Sequence, residues 1–121
     1  MWPSLALRPD FCFAAGYLGR YNSCPKVSHG TAQKRIMRYI IGSLDMGILY
    51  DASSNEGLIG YSDADYGGDL QDRKSTSGMV FTLFGGSISW ASTKQKTITI
   101  ATVIAKYIAL ILVIKEALWL K

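Results

Sequence analysis

The sequence is poor in cysteine, histidine and proline, and each shortage excludes a class of protein. Two cysteines and one histidine in 121 residues are too few for a disulfide framework, and they lack zinc-ribbon spacing. We therefore expect Cys12 and Cys24 to be reduced and structural. Prolines number three and hydrophobic residues make up 49% of the chain, which excludes disorder throughout.

A secretory leader and a strong charge are also missing. Residues 1–11 lack the basic start and long apolar run of a signal peptide, so we expect an intracellular location, in the cytoplasm or nucleus. Charged residues make up 18% of the sequence, with a net charge of +4 and a pI of about 9.1. This balance favours a polyanionic partner only mildly. The length allows one domain or part of one.

One apolar run, residues 97–114, approaches the length of a membrane span. Lys106 stands in its middle, and a central lysine costs about 2.5–3.5 kcal/mol on insertion scales. We favour a buried helix packed on a sheet, because the strands that precede it need such a cover. A membrane-associated helix is the alternative.

Proline positions and apolar spacing predict an irregular start followed by two helices. Two prolines mark residues 1–9 as irregular. The first helix is expected to have Asp10 as its N-cap and to end in the turn at residues 22–25. The second helix is expected to begin with Ser28 as its cap and to stop at Gly42.

Alternating and β-branched segments predict a sheet after these helices. The expected strands are residues 48–50, 58–63, 76–84 and 87–90. Gly85 and Gly86 supply the positive φ that a tight hairpin requires. A polar segment at 91–97 then leads into a long helix at about 98–119. The predicted fold class is α+β, an antiparallel three- to four-stranded meander with two helices before it and one covering helix after it.

Several motifs in fixed order carry a resemblance to a known family. They are GYSDADYGGD at 60–69, DRKSTSG at 72–78, FGGSISWASTKQ at 84–95, KYIAL at 106–110 and KEALWLK at 115–121. These motifs resemble the ribonuclease H segment at the end of the Pol polyprotein of copia-type (Ty1/copia) LTR retrotransposons. Residues 8–29 and 32–50 resemble the segment that joins the reverse transcriptase thumb region to ribonuclease H.

The resemblance implies two segments and a partial fold. Residues 1–46 correspond to the helical connection, and residues 47–121 correspond to a truncated ribonuclease H-like domain. The expected fold of the second segment is therefore a partial ribonuclease H-like fold.

The resemblance also implies where the chemistry of the family lies. The family hydrolyses the RNA strand of RNA–DNA hybrids with Mg²⁺, and the two-metal route needs several carboxylates around ions about 3.5–4 Å apart. Asp63 matches the aspartate of the family's first strand. Asp65 shares its side only if the strand continues. For Asp65, Asp69 and Asp72 we favour turn roles, in which the carboxylate bonds the nearby backbone.

A departure from the family pattern indicates lost catalysis. Lys106 occupies the position of the family's catalytic glutamate, and Ile104 replaces a second glutamate nearby. An ammonium cannot ligate Mg²⁺, and near Asp63 it forms an ion pair instead. The strand with the family's third metal-binding aspartate lies beyond Lys121. We therefore expect a catalytically inactive, degenerate Pol fragment, with Asp63 as a vestigial metal residue and no productively bound Mg²⁺.

Two other readings of the sequence stay open. One is a non-catalytic nucleic-acid-binding module that holds an RNA–DNA hybrid through its phosphates, with binding that falls steeply with salt. Its candidate contacts are Lys34, Arg35, Arg38, Arg73, Lys74, Lys94 and Lys96. For the first three of these, a solvated helix face is the preferred interpretation. The other reading is an interaction or membrane-associated protein that uses the helix at 97–120. No small-molecule substrate is expected.

Overall fold

The computed structural model describes residue 4 and residues 6–121 of the chain. It divides into two compact units, residues 1–48 and residues 49–121. The predicted division, after residue 46, lies two residues before the one in the structure. The identities predicted for the two segments stay predictions. The irregular start predicted at residues 1–9 lies partly outside the described residues.

The first unit contains two helices, α1 (Cys12–Gly19) and α2 (Val27–Ile41), and a 3-10 turn at Pro9–Phe11 leads into α1. Gly42 is the C-cap of α2, as predicted. Both cysteines are free, with Cys12 buried and Cys24 exposed.

The predicted helix caps are wrong at both N-termini. No side chain caps α1, and its N-cap residue is Phe11. The Asp10 carboxylate instead accepts hydrogen bonds from the Arg8 guanidinium at 2.7 and 3.0 Å and from the Tyr39 hydroxyl at 2.7 Å. At α2 the Lys26 N–H donates to His29 Nδ1 at 3.1 Å, so the helix begins before the predicted cap, Ser28. Asp10 thus bonds Arg8 and Tyr39 instead of capping α1. At α2, His29 accepts the N–H of the N-cap residue, Lys26, and Ser28 is not the cap.

The second unit is an antiparallel sheet with one covering helix. Its elements are β1 (Ile59–Ala64), β2 (Thr76–Leu83), β3 (Gly86–Lys94) and α3 (Thr102–Leu120). The strand order is β1-β2-β3, so β1 and β3 are the edges. Together with α1 and α2, this arrangement confirms the predicted α+β class.

The bounds of three predicted elements are wrong. Residues 48–50 form no strand, and the Tyr50 hydroxyl instead donates to the Ser87 carbonyl at 2.8 Å. β3 runs on to Lys94, which pairs with Thr76. Part of the polar segment predicted at 91–97 therefore pairs with β2 as strand. The helix α3 begins only at Thr102, later than predicted.

The hairpin between β2 and β3 uses a different pair of residues from the one predicted. The positive φ angles are at Phe84 (51°) and Gly85 (74°). Glycine is needed at position 86 for space and not for its φ angle. A Cβ atom there would lie 2.8 Å from the Leu49 carbonyl oxygen and against the Tyr50 ring. Gly86 thus allows close approach of a neighbouring segment.

The core of the second unit lies between α3 and the sheet. Ala64 of β1 and Ala105 and Ala109 of α3 form a buried cluster, and Phe81 of β2 is only 2% exposed. Small side chains at this contact let the helix approach the strand closely. The prediction of a helix that covers the sheet is confirmed. In the part of the chain that the structure describes, no helix has the length and apolarity that a membrane crossing needs.

Gly60 is expected to be sensitive to the smallest enlargement. A Cβ atom at this position would lie 2.6 Å from Cε1 of the buried Phe81 ring. We expect Gly60→Ala to lower the free energy of unfolding by about 1–3 kcal/mol, the usual cost of overpacking. The matched control is Gly57→Ala, where no atom lies within 4 Å. Urea denaturation of both variants checks this, and equal losses would contradict the packing argument.

Candidate functional site

Asp63 lies on the edge strand β1, opposite Gly78 of β2. Its side chain is 82% exposed, and Lys106 of α3 approaches it. The distance from Lys106 Nζ to Asp63 Oδ1 is 3.9 Å, and the lysine side chain is 62% exposed. Such an exposed pair contributes at most about 1 kcal/mol to stability. Its importance is electrostatic, because it sets an ammonium beside this carboxylate.

The other nearby carboxylates bond to backbone groups and to a lysine. β1 ends at Ala64, so the condition that would place Asp65 beside Asp63 is not met. The Asp65 carboxylate accepts the Thr76 N–H. Asp69 Oδ1 accepts the Gln71 N–H at 2.9 Å. The turn roles predicted for Asp69 and Asp72 are confirmed, because each accepts a backbone N–H two residues further on. The turn role predicted for Asp65 is wrong, since its partner lies on β2.

Lys94 bridges two acids of the loop between β1 and β2. Its Nζ lies 2.6 Å from Asp69 Oδ2 and 2.9 Å from Asp72 Oδ1. Asp72 Oδ1 also accepts the Lys74 N–H at 3.2 Å. The Lys94 ammonium lowers the pKa of Asp69 to about 2, and the two carboxylates raise the pKa of Lys94. The bridge therefore ties this loop to the end of β3.

The cations predicted to contact nucleic acid do not act as one group. Lys94 is held between two carboxylates, and Lys74 Nζ lies 3.7 Å from Asp72. Arg73 and Lys96 are exposed, and Arg73 has a positive φ of 56°. Lys34, Arg35 and Arg38 are exposed on α2, in the other unit.

The residues around Asp63 do not fit a pair of Mg²⁺ ions. Mg²⁺ takes carboxylate, carbonyl and water oxygens, and an ammonium repels it. Among the described residues, no group of three or more histidine, cysteine, aspartate or glutamate side chains is placed to hold a metal ion.

Similar sequences come from transposon polyproteins and from one effector. The chain is 39% identical over 120 residues to the secreted RxLR effector protein 161 of Plasmopara viticola, 84% of which it covers. It is 40% identical over 121 residues to the retrovirus-related Pol polyprotein from transposon TNT 1-94 of Nicotiana tabacum, and 36% identical over 113 residues to that from transposon RE2 of Arabidopsis thaliana. The chain belongs to one family with this effector protein, and the Pol polyproteins contain a similar segment.

The matches to transposon Pol polyproteins confirm the coarse part of the predicted resemblance. The matched segment spans 9% of the TNT 1-94 polyprotein and 8% of the RE2 polyprotein. The assignment to the reverse transcriptase and ribonuclease H region stays a prediction. No protein-family model matches the chain. No solved structure matches it either.

A buried polar network under the site was missed by sequence reasoning. Gln95 Nε2 donates to Ser77 Oγ and to the Ala105 carbonyl, each at 2.9 Å. Ser75 Oγ accepts the Gly67 N–H at 3.1 Å and lies 3.3 Å from Thr99 Oγ1. Two polar segments within the family motifs, STSG at 75–78 and STKQ at 92–95, were the sequence signal for this network. These residues join the loop between β1 and β2, which we call the acidic loop, to the start of α3.

Acid is expected to destabilise this chain partly through Asp69. Its pKa in the folded state is about 2, below its usual 3.8. A depressed carboxyl pKa contributes stability that is present above about pH 4 and lost as pH falls towards 2. We expect Asp69→Asn to be less stable near neutral pH and to lose less stability on acidification.

Thermal unfolding of the wild type and Asp69→Asn across this pH range measures the effect. Asp45→Asn is the control, because Asp45 lies in an exposed turn of the other unit. Parallel curves for the wild type and Asp69→Asn would contradict the role of the Lys94 bridge.

Proposed function

We propose that this chain is a catalytically silent, ribonuclease H-like segment of a retrotransposon Pol polyprotein. The relatives named Pol polyproteins support the retrotransposon origin. The observation that carries the loss of catalysis is the 3.9 Å approach of Lys106 Nζ to Asp63 Oδ1. It sets a cation where the family resemblance implies a second carboxylate.

Charge at this position opposes metal binding. At about 4 Å and a water-like dielectric, two unit charges interact by about 1 kcal/mol. The ammonium thus offsets the attraction that Asp63 exerts on a cation. Asp65, Asp69 and Asp72 cannot substitute without giving up the backbone and lysine bonds that hold the loop. That leaves Asp63 alone, with an ammonium beside it, which is too few carboxylates for two-metal hydrolysis.

The test is cleavage of a labelled RNA–DNA hybrid in the presence of Mg²⁺ or Mn²⁺. We expect the wild-type chain to leave the hybrid intact. Asp63→Asn is the matched control, since it removes the carboxylate without a change in shape. Metal-dependent cleavage that disappears in Asp63→Asn would overturn the proposal, whereas cleavage that persists in this variant marks a contaminating nuclease.

Binding of the hybrid through the sheet unit is the weaker alternative. Residues 49–121 contain seven lysines and arginines and seven aspartates and glutamates, so the unit has no net charge. Two of its four candidate cations, Lys74 and Lys94, lie beside carboxylates. Phosphate contacts need cations that are free to displace counterions.

A further inference from the structure

A histidine holds the N-terminus of α2. Lys26 is the N-cap residue, and His29 is the third helical residue, N3. The Lys26 N–H donates to His29 Nδ1 at 3.1 Å, and the His29 N–H donates to the Lys26 carbonyl at 3.0 Å. A glutamate or glutamine at N3 usually makes the first of these bonds. The imidazole accepts it only while Nδ1 carries no proton, because both ring nitrogens of a protonated histidine are donors.

The same side chain ties α2 to the end of α1. The His29 ring stacks on the Tyr21 ring, with centroids 4.0 Å apart and planes inclined by 27°. Tyr21 lies just beyond the last residue of α1, so the stack closes the turn between the two helices. His29 also lines two grooves between these helices, of about 440 and 500 Å³. A shift of His29 therefore alters both grooves.

The surroundings of His29 disfavour a positive charge on its ring. The titratable and charged side chains that line the two grooves with it are Asp10, Tyr17, Tyr21, Lys26, Arg35 and Tyr39. Among these described residues, Asp10 is the single carboxylate, and it already accepts bonds from Arg8 and Tyr39. The first turn of α2 contains no acidic residue.

A protonated His29 would therefore meet opposing charges. The N-terminus of a helix is the positive end of its dipole, and Lys26 and Arg35 add two cations nearby. The attraction of the Tyr21 ring for a cation is weak at a partly exposed site. Protonation thus removes the bond to Lys26 without supplying a comparable partner.

A second N-cap is present two residues into the helix. Ser28 lies at N2 in the structure, and serine is among the residues that cap helices best. Val27 is 91% exposed, so unwinding Lys26 and Val27 removes almost no packing. The start of α2 can therefore move to Ser28 at little cost.

We infer that the start of α2 is a pH-dependent switch between two caps. With His29 neutral, its Nδ1 bonds the Lys26 N–H and the helix begins at Val27. When His29 takes up a proton, that bond is lost, Val27 unwinds and Ser28 becomes the N-cap. His29 is the one histidine of the sequence, and histidine is the side chain that ordinarily changes charge between pH 5 and 8. The inference does not rest on the proposed loss of catalysis.

The first experiment follows residues 26–31 of the full chain by NMR from pH 7.5 to pH 5. After correction for the intrinsic pH dependence of amide exchange, the wild-type Lys26 amide is expected to lose protection on the order of fivefold, the usual effect of a lost cap. Val27 and Ser28 should lose their helical ¹³Cα shifts, and later residues should keep theirs. Unchanged protection and shifts over this range would overturn the inference.

The matched control is His29→Gln. Glutamine keeps an acceptor at N3 and does not titrate, so the Lys26 amide should stay protected at both ends of the pH range. His29→Ala has no acceptor, and its Lys26 amide should be unprotected at both. If His29→Gln shows the same pH dependence as the wild type, His29 is not the sensor and the inference fails.

Ser28→Ala distinguishes a second cap from simple fraying. At pH 7.5 this variant should keep the wild-type helix start, because Ser28 does not cap α2 there. At pH 5 its unwinding should extend to Gly30 and Thr31. The same helix start in Ser28→Ala and the wild type at pH 5 would contradict the second cap. Hybrid cleavage concerns Asp63 in the other unit, so this inference and the proposed function can fail separately.

Discussion

Replacing Phe81 by alanine is expected to lower the free energy of unfolding by about 3–5 kcal/mol. Phe81 lies on the central strand β2, between Gly60 of β1 and Ser89 of β3. Phe81 is 2% exposed, and its two cross-strand partners have small side chains or none. Removing the ring leaves a cavity that glycine and serine cannot fill. Since small domains unfold with about 5–15 kcal/mol in total, the variant should lose much of its cooperative transition.

The matched control for this prediction is Phe84→Ala. Phe84 is a large exposed side chain in the hairpin next to β2. Its removal exposes no cavity, and we expect a change of less than about 1 kcal/mol. Urea denaturation followed by circular dichroism measures both variants. Similar losses for the two would show that the sheet does not depend on a packed ring at Phe81.

Apolar alternation was enough to predict the first two strands, but not where β3 ends. β1 and β2 were located within a residue or two, because apolar and β-branched side chains recur along them. The last part of β3 reads as a polar loop, since Ser92, Thr93 and Lys94 have no apolar period. Its pairing depends on β2, where Ser77 opposite Thr93 offers an equally polar partner. Only the three-dimensional register determines that end.

The predictions of the two helix N-caps failed for a related reason. Asp10 and Ser28 have suitable side chains, but capping competes with every other partner that the fold provides. The Tyr39 hydroxyl, 29 residues away, reaches Asp10 at 2.7 Å, and no local rule predicts such a contact. Gly42 was predicted correctly because its role depends only on the helix it follows.

The candidate site shows the same division between local and long-range information. That Lys106 stands near Asp63 was expected from a family motif, and the two side chains do approach each other. The bridge from Lys94 to Asp69 and Asp72 was not expected. It requires β3 to extend to Lys94 and the acidic loop to fold back upon it, and neither feature has a sequence period. A lysine predicted as a phosphate contact is consequently part of the loop's own structure.

Replacing Lys106 by glutamate is expected to create a divalent-cation dependence that the wild-type chain lacks. The substitution sets a second carboxylate beside Asp63, at a site where both side chains are largely exposed. The substitution changes the local charge by two units, and a divalent cation carries two charges. At about 1 kcal/mol for each pair of unit charges, the free energy of binding the cation becomes more favourable by about 4 kcal/mol before screening. Salt and solvent reduce that figure for exposed groups. We expect a gain in Mn²⁺ affinity on the order of tenfold to a hundredfold.

The control is Lys115→Glu, which makes the same charge change further along α3. Both lysines are exposed on this helix, but Asp63 is the carboxylate paired with Lys106. Thermal unfolding with and without millimolar Mn²⁺ separates a bound ion from a general charge effect, since a ligand that binds the folded state raises the melting temperature. Only Lys106→Glu should respond. If Lys115→Glu responds equally, net charge explains the effect and Asp63 is not the vestige of a metal site. If Lys106→Glu alone responds, a single lysine is what keeps cations away from this edge of the sheet.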